Sequence, residues 1–175
     1  MGSFARARHH AECALAVSDE GWADAYCNVL GHDFPCTAAF CSTLAMTVLG
    51  DVEAGRRQIS RALERSRESG RAYAVAIAHA HDLHRLRLLD RPQETLDVAE
   101  ALIAIVEAKG IGAWEPHARM FASWASARLA DPVAAAQTLR EIWGRLKHGG
   151  RDFTIRSSLS CWLILPFAPA QANKA

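Results

Sequence analysis

Apolar residues recur through most of this chain at the spacing of one helix face, and the same stripe returns forty residues on. Leu96, Ala99, Leu102, Ile103 and Val106 form one stripe, and Ala136, Leu139, Ile142, Trp143 and Leu146 repeat it position for position. Steps of three and four bury one side of a helix. A constant shift means that successive helices bury the same side, as hairpins stacked in parallel must. Other columns keep the same step: Gly70, Gly110 and Gly150; Leu49, Leu89 and Leu129; Ile59, Ala99 and Leu139; Ala62, Leu102 and Ile142. Repetition at this period marks a stacked helical array.

The elements follow in order. Residues 4–17 predict an amphipathic helix with Phe4, Ala7, Ala11, Ala14 and Leu15 on one side, and a shorter helix is expected over 22–30. Gly31 to Pro35 reads as a turn, and Pro35 suits the first position of a helix over 36–49. Gly50-Asp51 turns the chain, with Asp51 as N-cap of a helix over 52–69. The next pairs are 71–89 with 92–109 and 113–129 with 132–148, Pro92 again suiting a helix start. A fourth unit begins at Arg151, but Pro166 stops its helix and 166–175 reads as a disordered tail. The expected units are therefore 1–34 (partial), 35–70, 71–110, 111–150 and 151–165 (partial). The chain opens on what reads as the second helix of a unit. Repeat arrays need polar caps, so Trp162, Leu163, Ile164 and Phe167 are expected to be covered by this chain, a second copy or a partner.

Composition narrows the field. Among 175 residues, half are apolar, mostly Ala and Leu, which favours helix over sheet. A net charge of +1 gives no pull toward nucleic acid or anionic lipid. Five cysteines, at 13, 27, 36, 41 and 161, show no C-x-x-C pair and read as thiols of a reducing cytoplasm. Arg6, Arg8, His9, His10 and Glu12 break any signal-peptide core. The apolar run from Leu159 to Ala170 is shorter than the roughly 20 residues of a membrane helix. A cytoplasmic, soluble protein is expected.

Three runs carry a resemblance to a known family: GRAYAVAIAHAHDLHRLR (70–87), AEALIAIVEAKGIGAW (99–114) and the helix ending from Trp124 to Ala130. They resemble the tetratricopeptide-like C-terminal region of bacterial signalling proteins that join a class III adenylate/guanylate cyclase to a predicted ATPase. ARARHHAECALAV (5–17) and LGHDF (30–34) look like that family's preceding units, so the likeness covers roughly 5–155. It implies an all-α, right-handed solenoid of about three to four antiparallel helix hairpins and a role in protein contacts or regulation. Catalysis does not transfer, because the chain has no G-x-x-x-x-G-K-[ST] loop and no cyclase carboxylate motif. The period also exceeds the usual ~34 residues of tetratricopeptide units. Ala39, Thr43 and Met46 stand where that motif places large aromatics and glycine, and the tail after Ser158 has no counterpart.

In such arrays the first helices line the concave side. The forty-residue columns then bring His84, Arg87, His117, Met120 and Trp124 together in a groove, with Phe40 and Leu44 beside them. An aromatic anchor next to a cation suits a peptide or an acidic side chain; the competing reading is that Trp124 and Met120 fill the core between hairpins. His79, His81 and His84 form the most chemical-looking string, but one helix cannot present all three to a metal. Arg56, Arg57, Arg61, Arg65 and Arg67 form a basic strip. A solvated face with Arg57 and Arg61 near Glu64 and Glu68 accounts for it more simply than phosphate binding does. Cys36 and Cys41 show no base nearby in sequence. The expectation is a non-catalytic scaffold that binds a peptide or neighbouring domain and can form a homodimer through its incomplete C-terminal unit. It carries no catalytic or metal site and no cofactor, and it binds neither nucleic acid nor membrane. The alternative is a regulatory domain that senses a small molecule.

Overall fold

A computed structural model describes residues 3–18, 34–130 and 132–148, apart from the side chains of 18, 134, 135, 143 and 145–148. All regular structure among them is helical: α1 Phe4–Ser18, α2 Phe34–Val48, α3 Val52–Glu68, α4 Ala72–Leu88, α5 Pro92–Lys109, α6 Glu115–Leu129 and α7 Pro132–His148. The expected helix over 22–30, the partial unit 151–165, the tail 166–175 and the end patch Trp162, Leu163, Ile164 and Phe167 lie outside the described residues.

The turns explain the step. Gly50 and Asp90, forty residues apart, both take left-handed backbone, with φ of 88° and 51°. Each closes its helix with the same pair of bonds. Asp51 N–H donates to Met46 O and Gly50 N–H to Thr47 O; Arg91 N–H donates to Leu86 O and Asp90 N–H to Arg87 O. This is the Schellman ending, which satisfies carbonyls that the helix leaves over. Gly70 and Gly110 form a second column at the other end of the hairpins, each with φ of 66°. The third member of the first column departs. Ala130 has φ of −150°, its N–H donating to Ser126 O, since a Cβ makes the left-handed region costly.

Asp51 departs from its expected role. It occupies the N-cap position of α3, yet its side chain makes no capping bond. Its carboxylate instead accepts from Arg8 of α1 at 3.2 Å, tying α1 to the α2–α3 turn. Before α6, a short 3₁₀ turn over Gly112–Trp114 replaces the helical start expected at 113.

Each described helix packs on the next described one, and α4 also touches α2 and α6, so first helices meet first helices. The central position of α4 follows from its composition. Alanine at 72, 74, 76, 78 and 80 places small side chains around the whole helix, so four neighbours can approach it. Its residues Ala76, Ala78, Ala80 and Leu83 are fully buried. They share one core with Ala99, Leu102 and Val106 of α5 and with Ala118, Met120 and Phe121 of α6. A smaller core joins Ala39, Ile59 and Ala62, with Leu15 of α1 against it. The second-helix columns thus do the same work: Ala62, Leu102 and Ile142 are all buried, as are Ile59 and Ala99. On α1, by contrast, Phe4, Ala7 and Ala14 are exposed, and only Ala11 of the expected stripe is buried.

Candidate functional site

A chain of ring contacts runs across α2, α4 and α6. His81 of α4 stacks on Phe40 of α2 with centroids 4.1 Å apart, and Phe40 also meets His84 at 5.5 Å. His84 reaches forward to α6, lying 5.2 Å from His117 and edge-on to Phe121 at 4.9 Å. His117 meets Phe121 at 5.0 Å and Trp114 at 5.6 Å, and Trp114 leads out to Tyr73, an exposed residue. Edge-on and tilted pairs at these separations are the favoured arrangements of aromatic rings. Phe40, His81 and His84 are half-buried, so one edge of the series reaches solvent.

Burial sets the charge of these rings. His117 is buried, and desolvation pushes its pKa down to about 4, partly countered by the Ala80 carbonyl. Neither of its ring nitrogens makes a hydrogen bond of ordinary geometry. His84 is held well below the ordinary histidine range, first by desolvation and then by His117, His81 and Arg87. His79, buried on another side of α4, is lowered by desolvation and by Arg67, with Asp82 acting in the opposite sense. At neutral pH His79, His84 and His117 are therefore uncharged, and the buried part of the series is aromatic rather than cationic.

Of the residues expected in the groove, the structure joins Phe40, His84 and His117 by direct ring contact. Met120 is buried in the main core beside Phe121, and no aromatic ring contact among the described residues reaches it. Leu44, Arg87 and Trp124 are half-buried, and Trp124 takes no part in the ring series. His81, Phe121, Trp114 and Tyr73 complete the series and were not singled out as groove residues by the columns. A helix rotation of a few tens of degrees moves the exposed face from one column to the next, and sequence spacing does not fix that angle.

The other candidates resolve separately. His81 and His84 do share a face, but Phe40 lies against both rings. Among the described residues no three His, Cys, Asp or Glu side chains are grouped to hold a metal ion. Cys36 has a histidine neighbour that sequence distance conceals, with Sγ 3.8 Å from His81 Nδ1. In the basic strip, Arg56 pairs with Glu53 at 2.6 Å, and Arg57 pairs with Glu53 at 3.6 Å rather than with the Glu64 or Glu68 expected near it. Asp82, part of the histidine string, forms a buried 2.6 Å ion pair with Arg85. None of the described helices is long and apolar enough to cross a membrane. The chain matches no protein-family model, no curated protein and no solved structure at a significant level.

Proposed function

We propose that this chain is a non-catalytic interaction domain, a tetratricopeptide-like right-handed solenoid whose first helices bind a peptide or a neighbouring domain. One observation carries the reading: a continuous set of ring contacts links α2, α4 and α6, with Phe40, His81 and His84 half-open to solvent. Large aromatic side chains supply contact area at little cost in side-chain entropy, and they dominate energetic hot spots. A surface drawn from three successive first helices suits an extended ligand, which touches one hairpin after another. The resemblance of 70–87 and 99–114 to helical-repeat regions of bacterial signalling proteins supports the same reading.

Selection from a random peptide library displayed on phage tests it. Binders enriched on the wild-type chain are expected to be lost with Phe40→Ala/His84→Ala and largely kept with Trp124→Ala, the helix content of both variants being checked by circular dichroism. Failure to enrich any sequence, or binders indifferent to the double variant, contradicts the reading. A second reading, a domain that senses a small molecule, is favoured by one observation: a half-open cavity between α1, α2 and α3, away from Trp124 and His84.

A further inference from the structure

That cavity has a volume of about 350 Å³, at the small end of the roughly 300–1,000 Å³ usual for small-molecule pockets. Its floor is apolar, formed by Leu15 of α1, Ala39 of α2 and Ala62 of α3. Leu15 rests on the small core that Ala39, Ile59 and Ala62 build. The residues that make this floor small are alanines. The next hairpin has the larger side chains Leu102 at the place of Ala62 and His79 at the place of Ala39, both buried.

The wall that faces solvent is cationic. Arg61 and Arg65, one turn apart on α3, both line the cavity and are both exposed. Arg61 makes no ion pair with any described residue, and no acidic residue is among the described ones that line the cavity. A guanidinium beside an apolar hollow matches an anionic head on an apolar body, and its fork geometry suits a carboxylate. Cys36 adds a sulfur atom to the lining, 3.8 Å from His81 Nδ1.

We propose that the α1–α2–α3 cavity binds a small monocarboxylate with a short apolar body, the chain entering over Ala39 and Ala62 and the carboxylate meeting Arg61. The inference rests on the sensing reading and names its ligand class; it is independent of peptide binding on the first helices. Because Cys36 contacts both the cavity floor and His81 of the ring series, an occupied cavity abuts the surface proposed for partner binding.

The test uses the full chain and the fluorescent probe anilinonaphthalene sulfonate, itself an anion on an apolar body. One probe is expected to bind per chain and to be displaced by octanoate, but not by octan-1-ol or octylammonium at equal concentration. Arg61→Gln is expected to weaken octanoate roughly tenfold, the loss of one charge-assisted contact. Gln58→Phe, which narrows the cavity from a half-buried position on its lining, is expected to abolish displaceable binding without lowering Tm. Equal displacement by octanol, or unchanged octanoate affinity in Arg61→Gln, overturns the ligand class while leaving a pocket. Probe binding that octanoate does not displace, or that Gln58→Phe leaves intact, overturns the site and the sensing reading together.

Discussion

The rings of His84 and His117 lie 5.2 Å apart, one from α4 and one from α6, and burial keeps both short of protons at neutral pH. This contact joins two successive hairpins through groups that can be charged only at a cost. It couples the packing of the array to pH.

The sign of that coupling is fixed by the direction of the shift. His117 titrates near 4 when folded and near 6.5 when unfolded, so the unfolded chain binds more protons between those values. Its contribution is intact above pH 6.5 and is lost progressively as pH falls toward 4, about 3 kcal/mol in all at ~1.4 kcal/mol per unit. His117→Phe removes this penalty together with two buried ring nitrogens that lack a hydrogen bond of ordinary geometry. Urea unfolding at pH 7.5 and 5.0 should show a smaller pH difference in the variant and equal or higher stability at pH 7.5. An unchanged difference would place the pH dependence elsewhere.

Asp82 and Arg85 form an ion pair within α4, with side chains only 10% and 8% exposed. Removing one member leaves a buried charge without its counterpart, which costs about 3–5 kcal/mol. Asp82→Ala is expected to lose stability in that range, and Asp82→Ala/Arg85→Leu to recover most of it. A double variant as unstable as the single one would show that Arg85 is needed for other reasons.

Gly55 marks the close crossing of α2 and α3. A Cβ there would stand 3.0 Å from Thr47 Oγ1 and 3.3 Å from the Thr43 carbonyl. Thr47 cannot readily give way, because its hydroxyl already donates to that carbonyl at 2.8 Å. Helix propensity alone makes Gly→Ala favourable by about 1 kcal/mol. Overpacking of about 1–3 kcal/mol opposes it, so Gly55→Ala is expected to destabilise modestly. Thr47→Ala/Gly55→Ala should recover stability in a double-variant cycle. A plain gain from Gly55→Ala would contradict the crossing.

The turn columns give a sharper comparison. Gly50 and Gly110 have positive φ with open space where a Cβ would go. Ala at either position should therefore cost only the backbone term, about 1–2 kcal/mol. Ala130 sits in the same column as Gly50 but at φ −150°, so Ala130→Gly relieves nothing and should be neutral or slightly destabilising. Thermal unfolding of the three variants checks the contrast, and a stabilising Ala130→Gly would show a left-handed turn there too.

Helix boundaries were legible because turn residues announce them. The spans expected at 52–69, 71–89, 92–109 and 132–148 fall within a residue or so of α3, α4, α5 and α7, each set by a glycine, an aspartate or a proline whose backbone demands are local. The second-helix columns were legible too, since burial of Ala62, Leu102 and Ile142 needs only the right period. Side-chain neighbours across helices were not. The column that grouped Leu44, His84 and Trp124 identified one member of the ring series, whereas His81 and Phe121 stand in the adjacent column and meet Phe40 and His84 through helix rotation. Cys36 and His81, forty-five residues apart, are neighbours for the same reason. The histidines around Asp82 give the string the look of a ligand set, which conceals its pairing with Arg85 one turn on.

The most direct measurement is to insert a second copy of residues 71–110 in tandem and compare the two chains by small-angle scattering and circular dichroism. If equivalent side chains do equivalent work at each forty-residue step, the longer chain keeps the same helix fraction and a cooperative unfolding transition. Its maximum dimension should then grow by about one to two helix spacings of 8–10 Å. A chain that loses helix, aggregates, or enlarges equally in all directions would contradict the stacked repeat.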